Sequence, residues 1–249
     1  MKNNFFCQKP VIDVLLEPKK FSKISSQLIY GEKFRILSRG KNYIKIKNSY
    51  DKYVGYLRAS KFVSNYKPTH KVISLKSKIY LNNKNKIKPS KSFLPFLSEI
   101  EILKSKNSMV MFEKNKWVKK KETLPLNSKI PDCYKIFKLF LNSPYKWGGK
   151  SYKGIDCSAL VQMYYKYNRK FFPRDTKDQV KIKQGLKIKK TYSKGDIIYW
   201  NGHVAICLND KKLIHAYGPK KKVLIMPIKK TISLIRKTAN LRIKKIFSI

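Results

Sequence analysis

The chain is short of acid. Its 249 residues hold 14 Asp+Glu against 58 Lys+Arg, a formal net charge of +44. It is also short of arginine, which supplies seven of the cations where lysine supplies fifty-one. Cysteine is scarce: there are four, none in CxxC spacing, which excludes a disulfide framework and a recognisable zinc knuckle. That usage predicts a reducing compartment. No apolar run approaches the ~20 residues a bilayer-crossing helix needs, so no membrane span is expected. Near the N-terminus the only apolar run is Val11–Leu16, broken by Asp13 and followed by no small-residue cleavage site. No secretory signal is read there, and a cytoplasmic location is expected. Apolar residues, by contrast, are plentiful: 42% hydrophobic and 13% aromatic are enough for a packed core and exclude a disordered tail.

The missing arginine bears on the charge. Arginine makes the bidentate contacts to phosphate and guanine that specific nucleic-acid recognition uses. Here the lysines are spread along the whole length, and the densest clusters, Lys119–Lys121 and Lys220–Lys222, are short. Asn and Ile are abundant as well. A compositional drift toward Lys, Asn and Ile accounts for the charge, and no specific nucleic-acid partner is expected. Polyanions would be attracted weakly at low salt.

Organisation follows from the hydrophobic pattern. Residues 1–9 read as a loose tail. Val11–Val63 carries short alternating runs separated by turns: Val11–Val14, Leu28–Tyr30, Phe34–Leu37, Tyr43–Lys47 and Tyr53–Leu57. Such spacing predicts a small all-β barrel over 10–64. Ser64–His70, with Pro68, reads as a linker. A second β domain is expected over 70–124, from Val72-Ile73, Lys78–Leu81, Glu99–Leu103, Met109–Phe112 and Trp117-Val118, with Asn82–Lys91 as a long polar loop. After Leu124 the pattern changes. Asp132–Leu141 and Ser158–Tyr167 have helical periodicity. Ile197–Trp200, His203–Leu208, Leu213–Ala216 and Val223–Ile228 read as strands. Helices followed by an antiparallel sheet make 130–249 an α+β domain.

Chemistry concentrates in that domain. A Gly-rich loop, Trp147-Gly148-Gly149, runs through Gly154 into Asp156-Cys157-Ser158, where a helix begins. A Cys at a helix N-terminus faces the positive end of the macrodipole, which favours thiolate. Of three His, His70 lies in the linker, while His203 and His215 lie on strands expected to be neighbours. Cys157, His203 and His215 have the chemistry of a nucleophile, a base and an orienting group. Each alone is an ordinary buried residue. A zinc site made by the three lacks an evident fourth ligand; no metal and no cofactor is expected.

These blocks, in the order Trp147-Gly-Gly, Asp156-Cys157-Ser158, Gly195-Asp196, Gly202-His203-Val204-Ala205-Ile206 and Ile214-His215-Ala216, resemble the NlpC/P60 cysteine peptidases. The resemblance covers 130–228 and implies a papain-like fold, with Cys157 as nucleophile, His203 as base and His215 as orienting residue. It places the Tyr145 hydroxyl in the oxyanion hole, twelve positions before the Cys. Ala159 departs from the family, where Gly is usual. Tyr30-Gly31-Glu32 and Tyr53-Val54-Gly55-Tyr56 resemble bacterial SH3 (SH3b) domains. Two such domains before the catalytic one, with Phe172-Pro173-Arg174-Asp175-Thr176, are similar to the γ-D-glutamyl-L-diamino-acid endopeptidases of murein-peptide recycling, the dipeptidyl-peptidase VI type. That resemblance implies a murein-derived peptide substrate whose free L-Ala amine is held by Asp156 with Glu32 and Tyr56, in an acidic pocket. It adds Trp147, Ser158 and Thr176 to the substrate contacts. Two alternatives stay open: an exported wall hydrolase or amidase, and a non-catalytic binder of anionic polymers. The diamino acid and the oligomeric state are not legible in the sequence.

Overall fold

The computed structural model describes residues 4–83 and 86–249. They form two compact units: 4–83 and 86–129 with 150–152, and 130–149 with 153–249. Residues 1–3 of the expected tail, and 84 and 85 of the expected polar loop, lie outside the described residues.

Among the described residues the first unit is all-β apart from the short 3-10 turn Lys120–Glu122. Its first six strands make one antiparallel sheet, in the spatial order Asn4–Phe6, Lys33–Arg39, Tyr43–Asn48, Val54–Arg58, Val11–Leu15, Ile24–Ile29. Tyr43–Asn48 alternates with every second residue buried, the period expected of a strand with one face on a core. That face presents Ile44 and Ile46 to Val14, Leu28, Phe34 and Leu57. The end strands, Asn4–Phe6 and Ile24–Ile29, are not paired with each other, so the small barrel expected here is an all-β sheet that does not close. The expected tail is also corrected, because Asn4–Phe6 pairs with Lys33–Arg35. Phe5 lies tilted near the Phe34 ring, 6.1 Å between centroids, which anchors this short strand.

Residues 70–125 build a three-stranded sheet (Glu99–Ile100, His70–Val72, Thr123–Pro125) and a five-stranded one. The latter runs Lys104–Lys106, Met109–Glu113, Lys116–Lys119, Lys76–Asn83, Lys86–Pro95. Most of the polar stretch read as a loop is therefore strand, with Tyr80 opposite Pro89 and Asn82 opposite Ile87. It is an edge strand, where side chains stay solvated and Lys and Pro are tolerated. The expected linker is not a spacer either. Tyr66 is buried against Phe6 and Tyr30, and its hydroxyl donates to the Glu99 carbonyl (3.0 Å) while accepting from Glu101 N–H (3.1 Å). A tyrosine so placed contributes apolar area and satisfies its polar tip.

Gly31 marks the tightest approach within this unit. Its φ is +81°, and a Cβ there would stand 1.9 Å from the Glu99 carbonyl oxygen. Beside it Glu32 is buried, accepting from Ile29 N–H (2.9 Å) and from the Lys150 ammonium (2.9 Å). Asp51 stands 3.9 Å from the same ammonium, and Lys150 N–H donates to Gln27 (2.8 Å).

The second unit is α+β. A five-stranded antiparallel sheet runs in the order Lys222–Pro227, Lys212–Tyr217, His203–Cys207, Asp196–Trp200, Lys245–Ser248. All five residues of Asp196–Trp200 are buried, which is why Ile197–Trp200 is a continuous apolar and aromatic run that does not alternate. The helix Cys157–Tyr167 packs on His203–Cys207 and Lys212–Tyr217. Cys133–Leu139 packs beside that helix, capped by Asp132 accepting from Tyr134 N–H (3.1 Å). The elements of this unit not read from sequence include the short helix Thr176–Gln179, the helix Ile228–Ala239 and the strand Lys245–Ser248.

Replacing Gly31 by Ala is expected to destabilise the protein by about 2–4 kcal/mol, from left-handed strain plus a clash with rigid backbone. A lowered denaturant midpoint checks this; an unchanged midpoint would show that the approach to Glu99 relaxes freely.

Candidate active site

The site is built at the start of the helix Cys157–Tyr167. Asp156 is its N-cap: Oδ1 accepts from Ala159 N–H (2.8 Å), satisfying one of the first-turn donors that a helix leaves unpaired. The same oxygen accepts from the Ser158 hydroxyl (3.0 Å) and Arg174 Nη1 (3.0 Å). Oδ2 accepts from Gly148 N–H (2.9 Å) and Arg174 Nη2 (2.6 Å). Arg174 is 2% exposed, and its guanidinium lies in a bidentate pair with the carboxylate. One carboxylate thus ties the Trp147-Gly148-Gly149 loop, the helix start and residue 174 together.

This corrects the expected acidic pocket. Arg174 balances the Asp156 charge, and five donors already meet a carboxylate with about four favourable acceptor directions. An arriving ammonium would meet a neutral pair and not a bare anion. Sequence reasoning gave Arg174 no role. The signal was present: arginine is rare in this chain, and this one follows Phe172-Pro173.

Cys157 stands next, buried at 5% exposure. Its Sγ lies 4.0 Å from the Gly202 carbonyl and is also hydrogen-bonded by Val204 N–H, so the residues flanking His203 both face the thiol. Burial, reinforced by the Asp156 charge, pushes the thiol up to about 12. The N–H groups of Val204 and Ser158 and the Arg174 charge oppose this without overcoming it. The thiolate expected from the helix position is therefore not the resting form; desolvation outweighs the dipole.

His203 opens its strand, half-buried between Trp200 and Tyr217 (ring centroids 5.7 Å each). Its Nε2 lies 2.9 Å from His215 Nδ1. His215 is fully buried, stacked on Tyr217 at 4.7 Å and 11°. Burial lowers His203 to about 4, and burial together with His203 lowers His215 to about 3. At neutral pH the three groups are a thiol and two neutral imidazoles.

Tyr145 is set by N–H donation to the Lys221 carbonyl (2.8 Å), with its ring over Gly218. Burial and the nearby Cys157 and Asp156 raise its hydroxyl, which stays protonated as a donor. Ser158 donates to Asp156 and accepts from Arg174 (2.9 Å). Trp147 is 64% exposed on the loop. Thr176 begins its short helix, and buried Gln179 in that helix donates to the Ser158 and Pro173 carbonyls (2.9 Å each). Glu32 and Tyr56 belong to the first unit. Glu32 is engaged there by Lys150, and Tyr56 is half-buried on Val54–Arg58 opposite Lys45. The grouping of a thiol, an imidazole pair and a phenol donor can carry out acyl transfer.

Comparison with known proteins agrees with this chemistry. Residues 142–242 match the NlpC/P60 family, and residues 16–62 match the bacterial dipeptidyl-peptidase Sh3 domain. The chain is 40% identical over 81 residues to dipeptidyl-peptidase 6 of Lysinibacillus sphaericus, a match spanning 31% of this chain and 28% of that protein. It is 25% identical over 241 residues to the gamma-D-glutamyl-L-lysine dipeptidyl-peptidase of Bacillus cereus, spanning 83% of this chain and 71% of that one. The crystal structure of an NlpC/P60 family protein from Bacillus cereus has the same fold, with TM-score 0.78 at 18% identity over 90% of this chain and 94% of that one. The chain carries an NlpC/P60 cysteine-peptidase domain behind a bacterial SH3 domain.

Proposed function

We propose that the protein is a cysteine endopeptidase that hydrolyses the γ-D-glutamyl–L-diamino-acid bond of murein peptides bearing a free N-terminal L-Ala, and that it acts in the cytoplasm. The observation that carries the catalytic part is the His203–His215 contact of 2.9 Å beside a buried Cys157. The names of the relatives supply the substrate class.

On this reading the Cys157 Sγ attacks the γ-carbonyl of D-Glu while its proton passes to His203. The tetrahedral oxyanion takes hydrogen bonds from the Tyr145 hydroxyl and from N–H groups at the helix start. His203 returns the proton to the departing amine of the diamino acid, leaving a thioester. Water, deprotonated by His203, then releases the dipeptide and restores the thiol. Ser158, Trp147 and Thr176 line the approach. Because Arg174 neutralises Asp156, the preference for a free amine falls short of what a bare buried carboxylate would give.

Mass spectrometry of L-Ala-γ-D-Glu-diamino-acid tripeptide incubated with the protein tests the reading directly. Cleavage between D-Glu and the diamino acid is expected, with none by Cys157→Ser. The N-acetylated tripeptide should be cut about tenfold more slowly, equivalent to ~1.4 kcal/mol. Equal turnover of the two peptides would favour a wall hydrolase.

The pH dependence follows from the neutral resting site. His203 must be unprotonated to act as base, and its lowered value keeps it so until pH falls to about 4. The thiol does not ionise until about 12. kcat/KM should therefore fall only below pH ~5 and show no alkaline limb before pH ~10. Iodoacetamide should alkylate Cys157 slowly at pH 7. An alkaline limb near pH 8 would indicate a resting thiolate–imidazolium pair instead.

A further inference from the structure

The imidazole pair leaves a hydrogen-bond question. His203 Nε2 is committed to His215 Nδ1, so only His203 Nδ1 remains to take the proton of Cys157. A neutral imidazole carries one proton. For Nδ1 to be bare, that proton must sit on Nε2 and be donated to His215 Nδ1. His215 Nδ1 must then be an acceptor, which puts the His215 proton on Nε2. That nitrogen is buried with its residue and lies 3.4 Å from the Met226 thioether sulfur. In the opposite tautomers His215 Nδ1–H donates to His203, and a bare Nε2 faces the sulfur lone pairs. His203 would then carry its proton on Nδ1 and could not act as a base.

The backbone fixes this contact. Met226 pairs with Leu213 across the antiparallel strands, and His215 pairs with Leu224, so Met226 and His215 are diagonal neighbours on one face of the sheet. Stacking on Tyr217 holds the ring plane, and the sulfur, a weak acceptor, meets the ring edge.

We propose that Met226 is a positioning residue: by accepting from His215 Nε2–H it sets the tautomer of both imidazoles and leaves His203 Nδ1 free to receive the Cys157 proton. The proposal rests on the assignment of His203 as base, but its first test needs no turnover. Long-range 15N–1H correlation spectra of wild-type protein should show His215 protonated at Nε2; protonation at Nδ1 overturns the proposal outright. Met226→Leu conserves volume and removes the acceptor. It should lower kcat about tenfold with KM within twofold, and should raise the Nδ1–H population of His215. Met226→Gln, whose amide oxygen accepts, should recover kcat to within threefold of wild type and restore the Nε2–H signal. Unchanged kcat and tautomer in Met226→Leu, or equal losses in both variants with the tautomer unchanged, would reduce Met226 to a packing residue. An inactive wild type with the Nε2–H signal present would count against the peptidase reading and not against the tautomer assignment.

Discussion

The second unit depends on one buried ion pair. Asp156 and Arg174 are 6% and 2% exposed, and the carboxylate is the point where a loop, a helix start and a distant segment meet. A buried pair with this many hydrogen bonds does not by itself argue for high stability, since both charges give up hydration. Its value is positional. Gly148 N–H, Ala159 N–H and the Ser158 hydroxyl all converge on one group, so the residues on either side of Cys157 cannot shift independently. Gln179 adds to this by holding the Ser158 carbonyl from the next segment. The sulfur is thus placed by neighbours that are themselves hydrogen-bonded, which is the support a reacting atom needs to stay in register.

The same burial decides the electrostatics. A helix N-terminus contributes a partial positive charge, and Arg174 a full one, yet Asp156 cancels much of the second and desolvation exceeds the first. Both histidines move the other way for the same cause, because an apolar setting disfavours imidazolium as it disfavours thiolate. Charge then develops only when substrate arrives, and Tyr145 can hydrogen-bond it only because its own hydroxyl stays protonated.

Much of this was legible in the sequence, for physical reasons that differ by element. The helix at 157–167 and the strands at 197–200 and 203–207 were readable because burial imposes apolar periodicity or apolar runs. Cys157, His203 and His215 stood out by residue type and spacing. Lys86–Pro95 was not readable, because an edge strand takes its order from backbone pairing and leaves polar side chains in water. The strand at 245–248 was hidden because its pairing with 196–199 spans about fifty residues. Barrel closure was not legible: local alternation identifies strands but carries nothing about whether the first and last of them meet. Arg174 and Met226 escaped because their roles lie in partners brought from other segments.

Charge scarcity links the two units. The chain has 14 acidic residues, yet four of them are buried: Glu32, Asp51, Asp156 and Asp196. Each faces a cation. Glu32 and Asp51 share Lys150, Asp156 pairs with Arg174, and Asp196 is bonded by Lys189 as well as by Ser248 and Ser193 N–H. Losing an exposed acid removes a pair contributing at most about 1 kcal/mol. Losing one of these strands a buried cation or orphaned donors, which costs about 3–5 kcal/mol. A drift toward lysine can therefore run across the surface at little energetic cost while these interior carboxylates resist it. The +44 charge is a property of the exposed shell, and the chemistry at Cys157 takes place among groups whose charges are locally balanced.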